Sequence, residues 1–162
     1  MAGSVSAAAA AEVLVALKAR GQTLAVAESL TGGLLAATIV DVPGASAVFR
    51  GGLVVYATDL KATLAGVDPA LLAERGPVDP DVAMALARGA AVRCAADWGL
   101  STTGVAGPEP QGGIAIGTVY IGLSDPDGAA VARRLDLAGD RPAVRAAVVA
   151  AALTLIAEAI PR

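Results

Sequence analysis

The chain contains no histidine. That removes the usual general base of serine and cysteine hydrolases and the commonest ligand of catalytic zinc. There is one cysteine, Cys94, so no disulfide can close within the chain, a usage that fits a reducing compartment. Cys94 stands beside Ala95 and Ala96 in a helix-like segment and reads as a packed thiol. Aromatic residues make up 2% against 56% hydrophobic overall, so the core has to be built from Ala, Val, Leu and Ile. The net charge is −3 and the pI near 4.8, which lacks the clustered Lys and Arg that nucleic-acid binding needs. No acidic run has metal-binding spacing, so neither a metal nor a cofactor is expected. No stretch of about 18 apolar residues is free of a charge or a turn signal. Glu12 interrupts the Ala-rich N-terminus and no basic segment precedes it, which argues against a signal peptide. A cytoplasmic protein without membrane contact is the resulting expectation.

What is present is a single domain's worth of sequence, 162 residues, long enough to bury a core without staples. Residues 7–20 have the pattern of an amphipathic helix stopped by Gly21, and residues 1–6 are expected to fray. Leu24 to Ala27 reads as a buried strand and Thr31 to Asp41 as a helix. Gly52 to Tyr56 reads as a second strand. Short helices follow over Asp59–Leu64 and Pro69–Arg75. Asp79, as N-cap, opens a long helix to about Ala96. Trp98 to Thr103 is a third strand. Gly117–Ser124 and Ala130–Leu137 form a hairpin across Asp125-Pro126-Asp127-Gly128. Asp140 caps a last helix that runs to about Ile160. Strands alternating with helices, closed by a hairpin, predict an α/β fold: helices on both faces of a mixed, mostly parallel sheet of about five strands.

In open α/β sheets ligands bind beyond the carboxyl ends of the strands. Three unusual segments map there. The first is Ala27-Glu28-Ser29-Leu30-Thr31-Gly32-Gly33, a hydroxyl and free backbone N–H groups at a strand–helix junction, where the helix start adds partial positive charge. Ser29 there is either a cap or a nucleophile, and a nucleophile needs a base. Glu28 is adjacent, but neighbours on a strand point to opposite faces. Lys61 is the better candidate, since a lysine taken out of water loses its proton more readily; the alternative is a solvated surface lysine. The second segment is Tyr56 to Lys61. The third, Thr102 to Pro108, is either a glycine-rich turn or a backbone cradle for an anion. Arg141 and Arg145, one turn apart on the last helix, could grip a phosphate or form a solvated basic face. Phe49 and Tyr56 could stack on a flat ring or pack in the core.

Taken together and in order, Ala27–Gly33, Asp41-Val42-Pro43-Gly44-Ala45-Ser46, Tyr56 with Lys61, Gly66 and Val67, Thr103–Pro108, Gly117-Thr118-Val119 and Gly139-Asp140-Arg141 with Val144-Arg145 carry a resemblance. Over about residues 8–160 the chain resembles the C-terminal domain of competence-induced protein A, the nicotinamide-nucleotide amidohydrolase family. The resemblance implies a three-layer α/β/α sandwich that needs no metal and assembles as a homodimer or higher homo-oligomer. It implies hydrolysis of nicotinamide mononucleotide to nicotinate mononucleotide and ammonia. Ser29 would be the nucleophile, or the group that orients an attacking water, and Lys61 its base, with Tyr56 and Thr103 supporting the site. Backbone near Thr31, Gly32 and Gly33 would stabilise charge, and Arg145 would help hold the phosphate. Glu28, Phe49, Gly104, Gly107 and Arg141 complete the expected substrate contacts. A catalytically silent nucleotide-binding or competence-related partner module, or another amide substrate, are the rival readings.

Three departures from the family pattern stand out. Leu30 occupies a usual cysteine position, and Pro77-Val78-Asp79 replaces Ala-Val-Ser while keeping a cap. Glu109-Pro110-Gln111-Gly112-Gly113-Ile114-Ala115-Ile116 lacks the family's lysine. Many members also carry an N-terminal molybdopterin-binding-like domain, so this sequence looks like the stand-alone form.

Overall fold

The computed structural model describes residues 2–162. Five strands form one open sheet: β1 (Leu24–Glu28), β2 (Phe49–Val54), β3 (Trp98–Gly104), β4 (Thr118–Ser124) and β5 (Ala130–Asp136), in the order β2-β1-β3-β4-β5. β2 and β3 flank β1 in parallel, while β4 runs antiparallel to β3 and β5 antiparallel to β4. Six helices cover it: α1 (Ala2–Ala19), α2 (Leu34–Val40), α3 (Thr58–Thr63), α4 (Pro69–Arg75), α5 (Pro80–Arg93) and α6 (Arg141–Ala159). The expected α/β sandwich on a five-stranded mixed sheet is what the chain forms.

Strand alternation divides the core in two. On one face Leu24, Val26, Leu100, Val119, Ile121 and Leu123 pack against α1, α2 and α6. On the other, Ala25 and Ala27 pack with Val55, Val67, Leu72, Val82, Leu86 and Ala90 beneath α3, α4 and α5. This second face is made of small side chains. A methyl group added at Gly99 would run into the Ala87 carbonyl, and one at Gly122 into the Ala83 carbonyl. Ser101, on the same face, donates to the Ala83 carbonyl at 2.6 Å. The scarcity of aromatics has a structural use here, because α5 lies with its backbone directly on β3 and β4.

Several boundaries differ from the sequence expectation, each for a local reason. Residues 2–6 continue α1 rather than fraying, with Ser6 5% exposed. α2 begins at Leu34, because Gly32 (φ 57°) and Gly33 (φ 104°) turn the chain in a left-handed conformation first. β2 starts at Phe49 and ends at Val54, before Tyr56. α5 ends at Arg93, and Ala95 follows with φ 51°. The caps hold: Asp79 accepts from the N–H groups of Asp81 and Val82, and Asp140 from that of Ala143. α6 is long and apolar enough by composition to cross a membrane, but Val144, Val148, Ala152, Leu153 and Ile156 lie in the core against α1 and the sheet.

Gly99→Ala forces α5 off the sheet and should cost about 1–3 kcal/mol, the scale of overpacking. Gly3→Ala, in open space within α1, should be neutral or stabilise by under about 1 kcal/mol. Thermal unfolding of the two variants checks the contrast; equal midpoints would contradict the close-packed interface.

Candidate active site

A cavity of about 270 Å³ opens beyond the carboxyl ends of β1 and β3. Its wall is assembled from four loops: Ser29 and Leu30 after β1, Tyr56, Ala57, Thr58 and Lys61 around the start of α3, Pro77 and Val78 before α5, and Thr103 to Gly107 after β3, with Glu109, Gln111 and Arg141 at its sides.

The register explains why Ser29 and Glu28 separate. Glu28 pairs with Val54 on β2 and Thr102 on β3. As the even-numbered partner of Leu24 and Val26, it lies on the α2 face. There its carboxylate accepts from the N–H groups of Gly33 (3.3 Å), Leu35 (2.8 Å) and Ala36 (3.0 Å). Glu28 therefore fills the helix start that the sequence offered as an anion site. Ser29 falls on the opposite face, towards α3. Its N–H donates to the Thr102 carbonyl at 3.0 Å, which extends the β1–β3 pairing to the nucleophile position. The Thr31 and Thr102 hydroxyls hydrogen-bond at 2.8 Å on the other side.

Lys61 comes from α3, a single short helix, yet it is 1% exposed. Its Nζ donates to Ser29 Oγ at 3.0 Å and to the Val55 carbonyl at 2.8 Å. No carboxylate is among its hydrogen-bond partners in the described residues. Burial disfavours the ammonium and lowers its pKa to about 8 from 10.5. The arrangement is a hydroxyl and a readily deprotonated amine in hydrogen-bond contact at the floor of an open cavity. Chemically it can activate Ser29 Oγ, or a water held by it, without an imidazole.

The other expected site residues divide. Tyr56, Thr103, Gly104, Gly107 and Arg141 line the same cavity. Thr103 Oγ1 donates to the Pro77 carbonyl at 2.6 Å, tying the loop before α5 to the cavity wall. Arg141 donates to the Gly107 carbonyl (2.8 Å) and to Tyr56 Oη (3.2 Å), bridging two loops at the rim. Arg145 is not on the cavity wall; it donates to the carbonyls of Leu30 (3.0 Å) and Thr31 (2.8 Å) and so clamps the loop that carries Ser29. Thr31, Gly32 and Gly33 also lie off the wall. The Gly32 N–H is bonded to the Ser29 carbonyl and the Gly33 N–H to Glu28. Phe49 is not brought to the cavity: it opens β2, pairs with Leu24 at the other end of the sheet and packs against the core.

Four wall residues escaped the sequence reading. Pro77 and Val78 are apolar and precede a cap, so nothing local marks them. Glu109 and Gln111 sit in a turn where Gln111 and Ile114 exchange backbone hydrogen bonds. Their only signal was the divergence of that segment from the family pattern. Among the described residues no group of three or more metal-ligating side chains comes together.

Two expectations follow from these contacts. Glu28→Ala strips three N–H groups of their acceptor and should lower stability by about 2–4 kcal/mol, read from denaturant unfolding. Lys61 has a native pKa below its unfolded value, so between pH 8 and 10.5 the unfolded chain holds a proton that the folded chain has lost. Lys61's contribution to stability therefore rises with pH across that window. Relative to Lys61→Met, the wild type should gain stability on going from pH 8 to 10; a constant difference would contradict the burial of this amine.

The family model described as the CinA C-terminal domain matches residues 6–160. A CinA-like protein of Frankia casuarinae is 55% identical over 144 residues, covering 89% of this chain and 33% of that protein. One of Geobacter sulfurreducens is 49% identical over 137 residues, covering 83% of this chain and 32% of that protein. The chain thus spans about a third of the length of these relatives. Among solved structures, the competence damage-inducible protein A (ComA) of Klebsiella pneumoniae superposes with a TM-score of 0.91 at 32% identity, covering 94% of this chain and 95% of that one. A competence or damage-inducible protein of Enterobacter asburiae gives a TM-score of 0.93 at 26% identity, covering 96% and 98%. A match to the family model over nearly the whole chain, on the same sheet and helices, makes this chain a member of the CinA C-terminal domain family.

Proposed function

We propose that the domain hydrolyses the carboxamide of nicotinamide mononucleotide, releasing ammonia and nicotinate mononucleotide. The observation that carries this reading is the 3.0 Å contact between Lys61 Nζ and Ser29 Oγ at the floor of the cavity. A dry amine beside a hydroxyl is the equipment of amide attack when no histidine is available.

In this reading neutral Lys61 takes the Ser29 proton as Oγ bonds to the carboxamide carbon. The carbonyl oxygen becomes an oxyanion near the backbone N–H of Leu30, the residue after the nucleophile and a member of the cavity wall. Lys61 then returns its proton to the departing nitrogen as the C–N bond breaks, and ammonia leaves an ester on Ser29. A water molecule, deprotonated by Lys61, attacks that ester; the C–O bond breaks, Ser29 regains a proton and the acid departs. The Val55 carbonyl accepts from Lys61 throughout, which holds Nζ on the hydroxyl. Arg141, at the rim, is the cation available to the substrate phosphate. Arg145, engaged by the Leu30 and Thr31 carbonyls, acts by holding the Ser29 loop.

The test is incubation of purified protein with nicotinamide mononucleotide, following ammonia and the acid product by mass. Ser29→Ala and Lys61→Met should each lower turnover more than about 100-fold with the fold retained, the scale of a lost catalytic group. Because the base is the neutral amine, kcat/KM should rise with pH through about 8 and level off above it. A rate that falls across that range, or near-wild-type ammonia release from either variant, would overturn the mechanism. Nucleotide binding without turnover would favour a binding module.

A further inference from the structure

The cavity wall carries one acidic side chain, Glu109, beside two basic side chains, Lys61 and Arg141. Both basic groups are hydrogen-bonded within the chain. Lys61 is held by Ser29 and Val55, and Arg141 by Gly107 and Tyr56. Glu109 is not paired with either, although all three face the same space. Among the described residues it takes part in no salt bridge, and the chain supplies its carboxylate with no hydrogen-bond donor. Glu109 is exposed, so its carboxylate stands in solvent at the rim, free to meet a cationic group of a ligand.

The proposed substrate gives that acceptor a partner. Its carboxamide has to reach Ser29, which is 8% exposed. The pyridine ring is attached directly to that carboxamide, so it lies between the floor and the rim. The ring nitrogen, bonded to the ribose, is formally positive. The phosphate, at the far end, points outwards towards Arg141. A carboxylate in the same wall offsets the ring's charge, which the Arg141 guanidinium on that wall would repel.

We propose that Glu109 is a specificity-determining residue that reads the positive charge of an N-ribosylated pyridinium ring. This rests on the amidase reading and names its substrate class: a quaternary pyridinium carboxamide, distinguished from neutral-ring amides of the same shape.

The experiment compares two ligands, nicotinamide mononucleotide and its C-nucleoside isostere, 3-carbamoylphenyl riboside 5′-phosphate. The isostere has the same outline and a neutral ring. Binding of each is measured by calorimetry to the wild type and to Glu109→Gln, at pH 7 and fixed ionic strength. Ammonia release is followed in parallel, and thermal unfolding confirms that the variant folds. The wild type should bind the pyridinium ligand about 2- to 5-fold more tightly than the isostere, the scale of one solvent-exposed charge pair. Glu109→Gln should bring that ratio close to one by weakening the pyridinium ligand alone. A ratio unchanged in the variant, or both ligands weakened equally, overturns the role of Glu109 while leaving the amidase reading intact if ammonia is still released. A charge preference lost on Glu109→Gln, but with no ammonia from the wild type, keeps the recognition and removes the hydrolysis. A wild type that binds neither ligand overturns both.

Discussion

The site depends on one lysine being dry. Lys61 is one of only two lysines in the chain, and it is among the most deeply buried large side chains. Withdrawing an ammonium from water is costly, and its pKa near 8 against 10.5 corresponds to roughly 3 kcal/mol of disfavoured charge. Two hydrogen bonds, to a carbonyl and to a hydroxyl, offset part of that cost without supplying a counter-charge. A carboxylate in the same place would have stabilised the ammonium and raised its pKa, leaving a fixed cation instead of a base. The absence of an acid next to Lys61 therefore matters as much as the presence of Ser29.

Strand alternation is what keeps an acid away. Glu28 is one residue from Ser29, and a helical junction would have placed both on neighbouring surfaces. Because β1 stays extended through Glu28 and the Ser29 N–H continues the pairing with Thr102, the two side chains go to opposite faces. Glu28 meets the three N–H groups of the α2 start, and Ser29 meets Lys61. The glycines at 32 and 33, in left-handed conformations, turn the chain so that those N–H groups point back at Glu28. A motif that reads in one dimension as a single anion-binding loop is in three dimensions two devices, back to back: a helix cap and a nucleophile.

This also explains what was legible in the sequence. Element order, the caps at Asp79 and Asp140, and the hairpin turn depend on contacts between residues a few positions apart, and they were readable. The convergence of Ser29, Lys61 and Thr103 was readable because strand ends share an edge in any sheet of this class. Arg145 was less so: spacing placed it one turn from Arg141, but its partners, the Leu30 and Thr31 carbonyls, are 115 and 114 residues away. Phe49 takes the other of its two readings: β2 begins there rather than at Gly52, so the ring lies at the amino end of the sheet and packs against the core, away from the strand ends that carry the cavity. Pro77 and Val78 gave no signal beyond the departure of that segment from the family pattern, since their part in the wall follows from a hydrogen bond to Thr103 that only the fold creates.

The small-residue face under α5 connects packing to this geometry. With glycine at 99 and 122 and serine at 101, α5 sits with its backbone against β3 and β4. The loop leading into α5 is thereby drawn down to the level of Thr103, which bonds the Pro77 carbonyl directly. A core of larger side chains would lift α5, and with it Pro77 and Val78, away from the strand ends. The wall of the cavity would then open on the side facing Ser29 and Lys61. Water would reach the amine, its pKa would return towards 10.5, and the neutral fraction at pH 7 would fall from about a tenth to under about a thousandth. The Ala- and Gly-rich composition and the scarcity of aromatics are thus tied to the same end as the missing histidine: a lysine serves as the base only where the backbone can be packed closely enough to keep it dry.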